Sequence, residues 1–100
     1  MEVAVAGFVG QRSSLALVNG HPAIACEKST DIVYFRANNS NGTSWASPVT
    51  VGSAAASAFP SLAVVNGNPA VAYVDDSDNI VYARATDENG VSWGTPVTVW

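Results

Sequence analysis

The sequence predicts an all-β fold: two four-stranded antiparallel repeats of the propeller-blade type. Three observations predict it. First, the chain repeats itself. Ser14-Leu15-Ala16-Leu17-Val18-Asn19-Gly20 returns as Ser61-Leu62-Ala63-Val64-Val65-Asn66-Gly67, and Ser44-Trp45 returns as Ser92-Trp93. About 60% of the aligned positions are identical, a level that marks a true internal repeat. Second, the apolar runs are short, rich in β-branched residues and without helical period. Third, turn signals punctuate each copy, and four-stranded repeats of about 40 to 50 residues are the signature of propeller blades.

The second copy is the clearer one. Its first strand is Ser61 to Val65, and Asn66-Gly67 closes a hairpin because both residues accept positive φ. The second strand runs from Pro69 to Val74 and ends in the acidic loop Asp75-Asp76-Ser77-Asp78-Asn79. The third covers Ile80 to Ala85. Asp87-Glu88-Asn89-Gly90 turns the chain into a fourth, Ser92 to Val99. Ala70-Val71-Ala72-Tyr73-Val74 is apolar without alternation, as expected of a strand covered on both faces. The first copy follows the same plan. The layout is therefore residues 1–13 as an N-terminal edge strand and connection, 14–51 as the first blade, 52–60 as an inter-blade connection and 61–100 as the second blade. Val3-Ala4-Val5-Ala6 is expected to pair with a blade edge, in this chain or in a neighbouring subunit, with an extra inner strand as the alternative.

Composition excludes several classes. The 100 residues are 48% hydrophobic and 12% charged, with a net charge of −4. Ordinary soluble chains carry about 25% charged residues, and a chain this apolar is not of the disordered kind. Four basic residues, Arg12, Lys28, Arg36 and Arg84, do not make a nucleic-acid surface. One cysteine, Cys26, gives no internal disulfide and no cysteine-based zinc site. The uncharged stretch from Ala37 to Val74 is interrupted throughout by Asn, Ser, Gly and Pro, so no spanning helix and no membrane partner are expected. No signal peptide is recognisable, which is compatible with the cytoplasm and leaves the compartment unassigned.

The turn before each tryptophan carries a resemblance. Thr86-Asp87-Glu88-Asn89-Gly90-Val91-Ser92-Trp93 resembles the Asp-box of sialidase-type β-propellers, Ser-x-Asp-x-Gly-x-Thr-Trp, with Glu88 in the place of the aspartate. Asn38-Asn39-Ser40-Asn41-Gly42-Thr43-Ser44-Trp45 is looser, with Ser40 in that place. In that family the box is a folding element, which makes Trp45 and Trp93 packing residues in preference to sugar-stacking ones. The family's catalytic arginine triad and tyrosine–glutamate pair have no counterpart that one such chain can supply.

Two blades do not close a propeller, which takes about four to eight. Two apolar faces would stay open, and head-to-tail contacts close such units into rings. The expected partner is therefore the chain itself: a homotrimer of six blades, the number used by the sialidase-like propellers, with a homotetramer of eight as the second reading.

On the blade plan, the loops joining strands two and three share one end with the inter-blade connection, and the tryptophan turns lie at the other. The first end collects the ligand-binding candidates Glu27, Asp31, Asp75, Asp76, Asp78 and Asn79, beside Lys28. The acidic loop offers oxygen ligands but lacks the EF-hand spacing, so it reads as a solvated turn and no metal site is assigned. Tyr34 with Arg36, and Tyr82 with Arg84, each point to one side of a strand. These arginines are further binding candidates, or blade-to-blade contacts paired with an acid. His21 reads as a turn residue, Cys26 as a small buried one, and Phe59 as packed between blades. No catalytic residue and no cofactor are expected. The function expected is a non-catalytic oligomeric binding module, recognising glycans or a protein surface. A glycoside-hydrolase-like site assembled between subunits, with two carboxylates roughly 5–9.5 Å apart, is the alternative. A structural repeat fragment is the third.

Overall fold

A computed structural model describes residues 9–28, 30–54 and 58–100. They form eight strands and no helix: β1 Val9–Val18, β2 His21–Lys28, β3 Asp31–Arg36, β4 Val49–Ser53, β5 Ser61–Val65, β6 Asn68–Val74, β7 Ile80–Arg84 and β8 Val97–Thr98. Strands β1 to β4 make one antiparallel sheet in sequence order, and β5 to β8 make the second. The repeat is thus a repeat of four-stranded meanders.

The hairpins follow from their turn residues. Asn19-Gly20 and Asn66-Gly67 all have positive φ, between 46° and 85°, the conformation that two-residue hairpin turns require. His21 and Asn68 open the returning strands and tie them to the far end of β3 and β7. His21 Nδ1 lies 2.9 Å from the carbonyl of Ala37, and Asn68 Nδ2 donates to that of Ala85 at 2.9 Å. A carbonyl only accepts, so His21 carries its proton on Nδ1.

The sheets stack face to tail. Ala23, Ala25, Ile32, Tyr34 and Val51 of the first sheet pack on Leu62, Val71, Tyr73, Val81 and Ala83 of the second, with Trp93 against them. These are different faces of the repeat. Leu62, Tyr73 and Val81 repeat Leu15, Cys26 and Val33. In the first sheet Leu15, Cys26 and Val33 lie on the side opposite Tyr34, where Cys26, Val33 and Phe35 form a small cluster with Ile24 and Trp45.

Several sequence expectations change. The fourth strand of the second copy shrinks to Val97–Thr98. Ala85 and Trp93 make only an isolated bridge, Gly94 N–H still reaches Arg84 O at 3.0 Å, and Pro96, which has no N–H to pair, then delays the strand. Val9 to Ser13 belong to β1, not to a separate connection, with a register shift before Ser13. The pairing expected of Val3 to Ala6 lies outside the described residues. Phe59 is more than half exposed instead of packed between the sheets.

Candidate functional site

The two ends of the stack differ in kind. At one end the turns preceding the tryptophans are pinned by an acid or amide. Asp87 accepts from the backbone N–H groups of Asn89 at 3.3 Å and Ser92 at 3.0 Å. Asn39 does the same work in the first copy, accepting from Thr43 N–H at 3.1 Å. The side chains that pin these turns are therefore Asp87 and Asn39, and Glu88 is exposed. Trp93 Nε1 and Trp45 Nε1 each donate to the glycine carbonyl three residues earlier, at 2.8 Å. Both indoles are thereby packing elements.

The arginine candidates also lie at this end. Arg36 donates to Val18 O and Asn19 O at 2.9 and 2.8 Å, and Arg84 donates to Val65 O and Asn66 O at 2.9 Å each. Each guanidinium clamps the carbonyls of its own hairpin turn, where an acid partner was expected. A hairpin clamp is far from the acidic loop, so Arg36 and Arg84 do not join the other candidates.

At the opposite end lies an open groove of about 320 Å³ along the seam between the sheets. Ser53 of β4 forms one wall. Tyr73, Asp75, Asp76, Ser77 and Thr98 of the second sheet supply the rest, with Pro96 and Val81 as apolar surface. Position 52 is glycine for a steric reason: a Cβ there would overlap the Tyr73 hydroxyl and press on Pro96. Burial, with the charge of Asp75 adding to it, raises the Tyr73 pKa, so this phenol stays protonated and can donate.

Within the acidic loop the carboxylates have separate tasks. Asp75 accepts from Ser77 N–H and Asn79 N–H at 2.9 Å each, and its other oxygen lies 3.5 Å from Asn79 Nδ2. The Asn79 backbone bond leads in holding its pKa below the ordinary carboxylate value, Ser77 and the Asn79 side chain adding to it against the opposing effect of desolvation. Asp75 and Asn79 are thus the frame of the turn. Asp76 and Asp78 are exposed, and Asp78 adopts positive φ, 63°, at the loop's corner. Asp31 pairs with Lys28 on β2 and with Ser53 on β4 and is not among the residues that line the groove.

Glu27 is buried, and its Oε1 accepts from Ala58 N–H at 2.8 Å and Phe59 N–H at 3.3 Å. Its carboxylate latches the connection between the sheets and does not face the groove. The structure therefore gathers Asp75 and Asp76 at the groove, while Glu27, Arg36 and Arg84 hold turns and connections. Ser53, Tyr73, Pro96 and Thr98 were not singled out from the sequence, because only the stacking of two copies brings them together. Among the described residues no three His, Cys, Asp or Glu side chains are grouped so as to hold a metal ion. Comparisons with models of protein families, with curated proteins and with solved structures give no match for this chain.

Proposed function

We propose that the chain is a non-catalytic binding module of the β-propeller kind, and that the seam groove takes a glycan. The carrying observation is the groove lining: serine, threonine and tyrosine hydroxyls and the Asp76 carboxylate converge beside the apolar surface of Pro96 and Val81. A sugar presents hydroxyls in several directions and an apolar C–H face, and this lining can answer both. Its volume falls at the small end of ligand sites. The state of the acids supports binding over hydrolysis. A glycosidase needs one carboxyl that holds its proton near neutral pH, and Asp75 is pushed the other way by the turn it frames.

The test is a glycan array probed with the labelled chain, followed by calorimetric titration of any hit. Asp76→Ala and Thr98→Ala are expected to weaken the hit about tenfold or more, with circular dichroism unchanged, because both are exposed. An array without hits, or binding indifferent to both substitutions, overturns the glycan reading. Binding to an unglycosylated protein surface would move the ligand class, and release of reducing sugar from a hit would replace the module by an enzyme.

A further inference from the structure

The charge of the seam groove narrows which sugar it can take. Its lining holds two carboxylates, Asp75 and Asp76, and no Lys, Arg or His. The repeat around it does not balance them. Residues 52–100 carry Asp75, Asp76, Asp78, Asp87 and Glu88 against Arg84 alone. Arg84 is tied to hairpin carbonyls at the other end of the stack. Asp75 gives one oxygen to the N–H groups of Ser77 and Asn79, while the second has only the Asn79 amide, at 3.5 Å. Asp76 is exposed, and its carboxylate makes no hydrogen bond among the described residues. Such a groove repels the carboxylate of a sialic or uronic acid and attracts an ammonium.

An acidic loop alone would be a solvated turn, and the second observation is Tyr73. It is 3% exposed and lines the groove, yet its hydroxyl makes no hydrogen bond among the described residues. The other deeply buried tyrosine, Tyr34, donates its hydroxyl to Asn89 O at 3.0 Å. Buried phenols find such partners as a rule. The Tyr73 hydroxyl instead packs over Gly52, next to Ser53 of the groove wall, where it can serve a ligand. We infer that the groove selects an amino sugar with a free ammonium group, which Asp76 and the second oxygen of Asp75 accept while the Tyr73 hydroxyl bonds a ring hydroxyl. The inference rests on the glycan reading and names its ligand class. An ammonium has three donors, and carboxylates only accept. Charge-assisted bonds of this kind are about twice as strong as neutral ones. Pro96 and Val81 remain for the apolar face of the ring. Calcium is a poorer fit. It takes about six to eight oxygens, and no third His, Cys, Asp or Glu is grouped with these acids among the described residues.

The experiment is calorimetric titration of the full chain with two oligosaccharides of equal length, one of glucosamine and one of N-acetylglucosamine. They share most ring hydroxyls and the apolar face and differ in the ammonium. A sialylated oligosaccharide is the acidic control. At mildly acidic pH sugar amines are protonated and ordinary carboxylates are still ionised. The glucosamine oligomer is expected to bind about tenfold or more tighter than the acetylated one, and added salt to shrink that ratio. Asp76→Asn keeps the shape and removes the charge, so it is expected to cut the ratio to about threefold or less. Glu88→Gln removes the same charge at the far end of the stack and is expected to keep the ratio. Tyr73→Phe is expected to weaken both oligomers about fivefold, with circular dichroism unchanged. Equal affinities for the two oligomers, or a preference for the acetylated or sialylated sugar, overturn the inference and leave the glycan reading standing. Equal effects of Asp76→Asn and Glu88→Gln overturn it too, because the attraction is then a diffuse field of the whole chain. Binding indifferent to Tyr73→Phe also overturns the site as assigned. A chain that binds no sugar of any class overturns the glycan reading itself.

Discussion

Asp87 and Asn39 perform one task with different chemistry, which makes their turn a natural test of charge. Burial works against the Asp87 carboxylate. The N–H groups of Ser92, Val91 and Asn89, with its own, outweigh burial and hold its pKa below the usual value. A depressed folded pKa contributes stability above the unfolded value of about 4, and that stability is lost as pH falls through the folded value. Urea unfolding from neutral to acid pH should therefore show falling stability below about pH 4. Asp87→Asn should flatten part of that fall, Asp75 keeping the remainder, since Asn39 already shows that an amide holds this turn. Asp87→Ala should cost about 1–2 kcal/mol at neutral pH. An Asp87→Asn protein with the wild-type acid profile would remove the carboxylate from this role.

Tyr34 has the opposite sign. Burial pushes its pKa to about 12, with Arg36 opposing and Asp87 assisting. A phenol whose folded pKa is raised contributes stability that is complete below the unfolded value of about 10 and is lost as pH climbs from there to the folded value. Ultraviolet titration should show a tyrosine ionisation step near pH 12, and Tyr34→Phe should delete it. The same substitution leaves Asn89 O without its tyrosine donor and should cost about 1–2 kcal/mol at neutral pH. Persistence of the late step in Tyr34→Phe would assign it to another ring.

Among the elements, the strands were legible because their signals are local. Period, β-branching and Asn-Gly dipeptides act within a few residues, and β5, β6 and β7 run where those signals place them. The last strand was not legible, since apolar Val97 and Val99 carry the strand pattern while Pro96 breaks the pairing upstream. The acidic loop was found as a loop, but its division into a framing Asp75 and an exposed Asp76 depends on hydrogen bonds that composition does not encode. Glu27 looked like its acidic neighbours in sequence, and only the fold shows it buried under the connection. That connection bends through Phe59 at φ 48°, a conformation costly for an aromatic residue, and Glu27 Oε1 accepts from the N–H groups of both Ala58 and Phe59. Glu27→Ala should remove this carboxylate acceptor and cost about 2–3 kcal/mol. Faster amide exchange at Ala58 and Phe59 should accompany the loss, with β6 and β7 unchanged. A Glu27→Ala protein with wild-type stability would mean that the connection stands without the latch.

At the scale of the whole molecule, the repeat provides its own control for what stacking contributes. Leu15 and Leu62 are the same residue at the same place in two copies of one sheet. Only Leu62 is covered, because only its face meets the other sheet. Truncating a buried leucine removes its transfer free energy and leaves a cavity, whereas truncating an exposed one does neither. Leu62→Ala should therefore lower stability by about 2–4 kcal/mol at every protein concentration. Leu15→Ala should cost less than about 0.5 kcal/mol in dilute protein, where an exposed side chain has nothing to lose. Denaturation of the three proteins in dilute solution reads both effects at once. Equal costs for the two substitutions in dilute protein would mean that the Leu15 side chain is covered as Leu62 is.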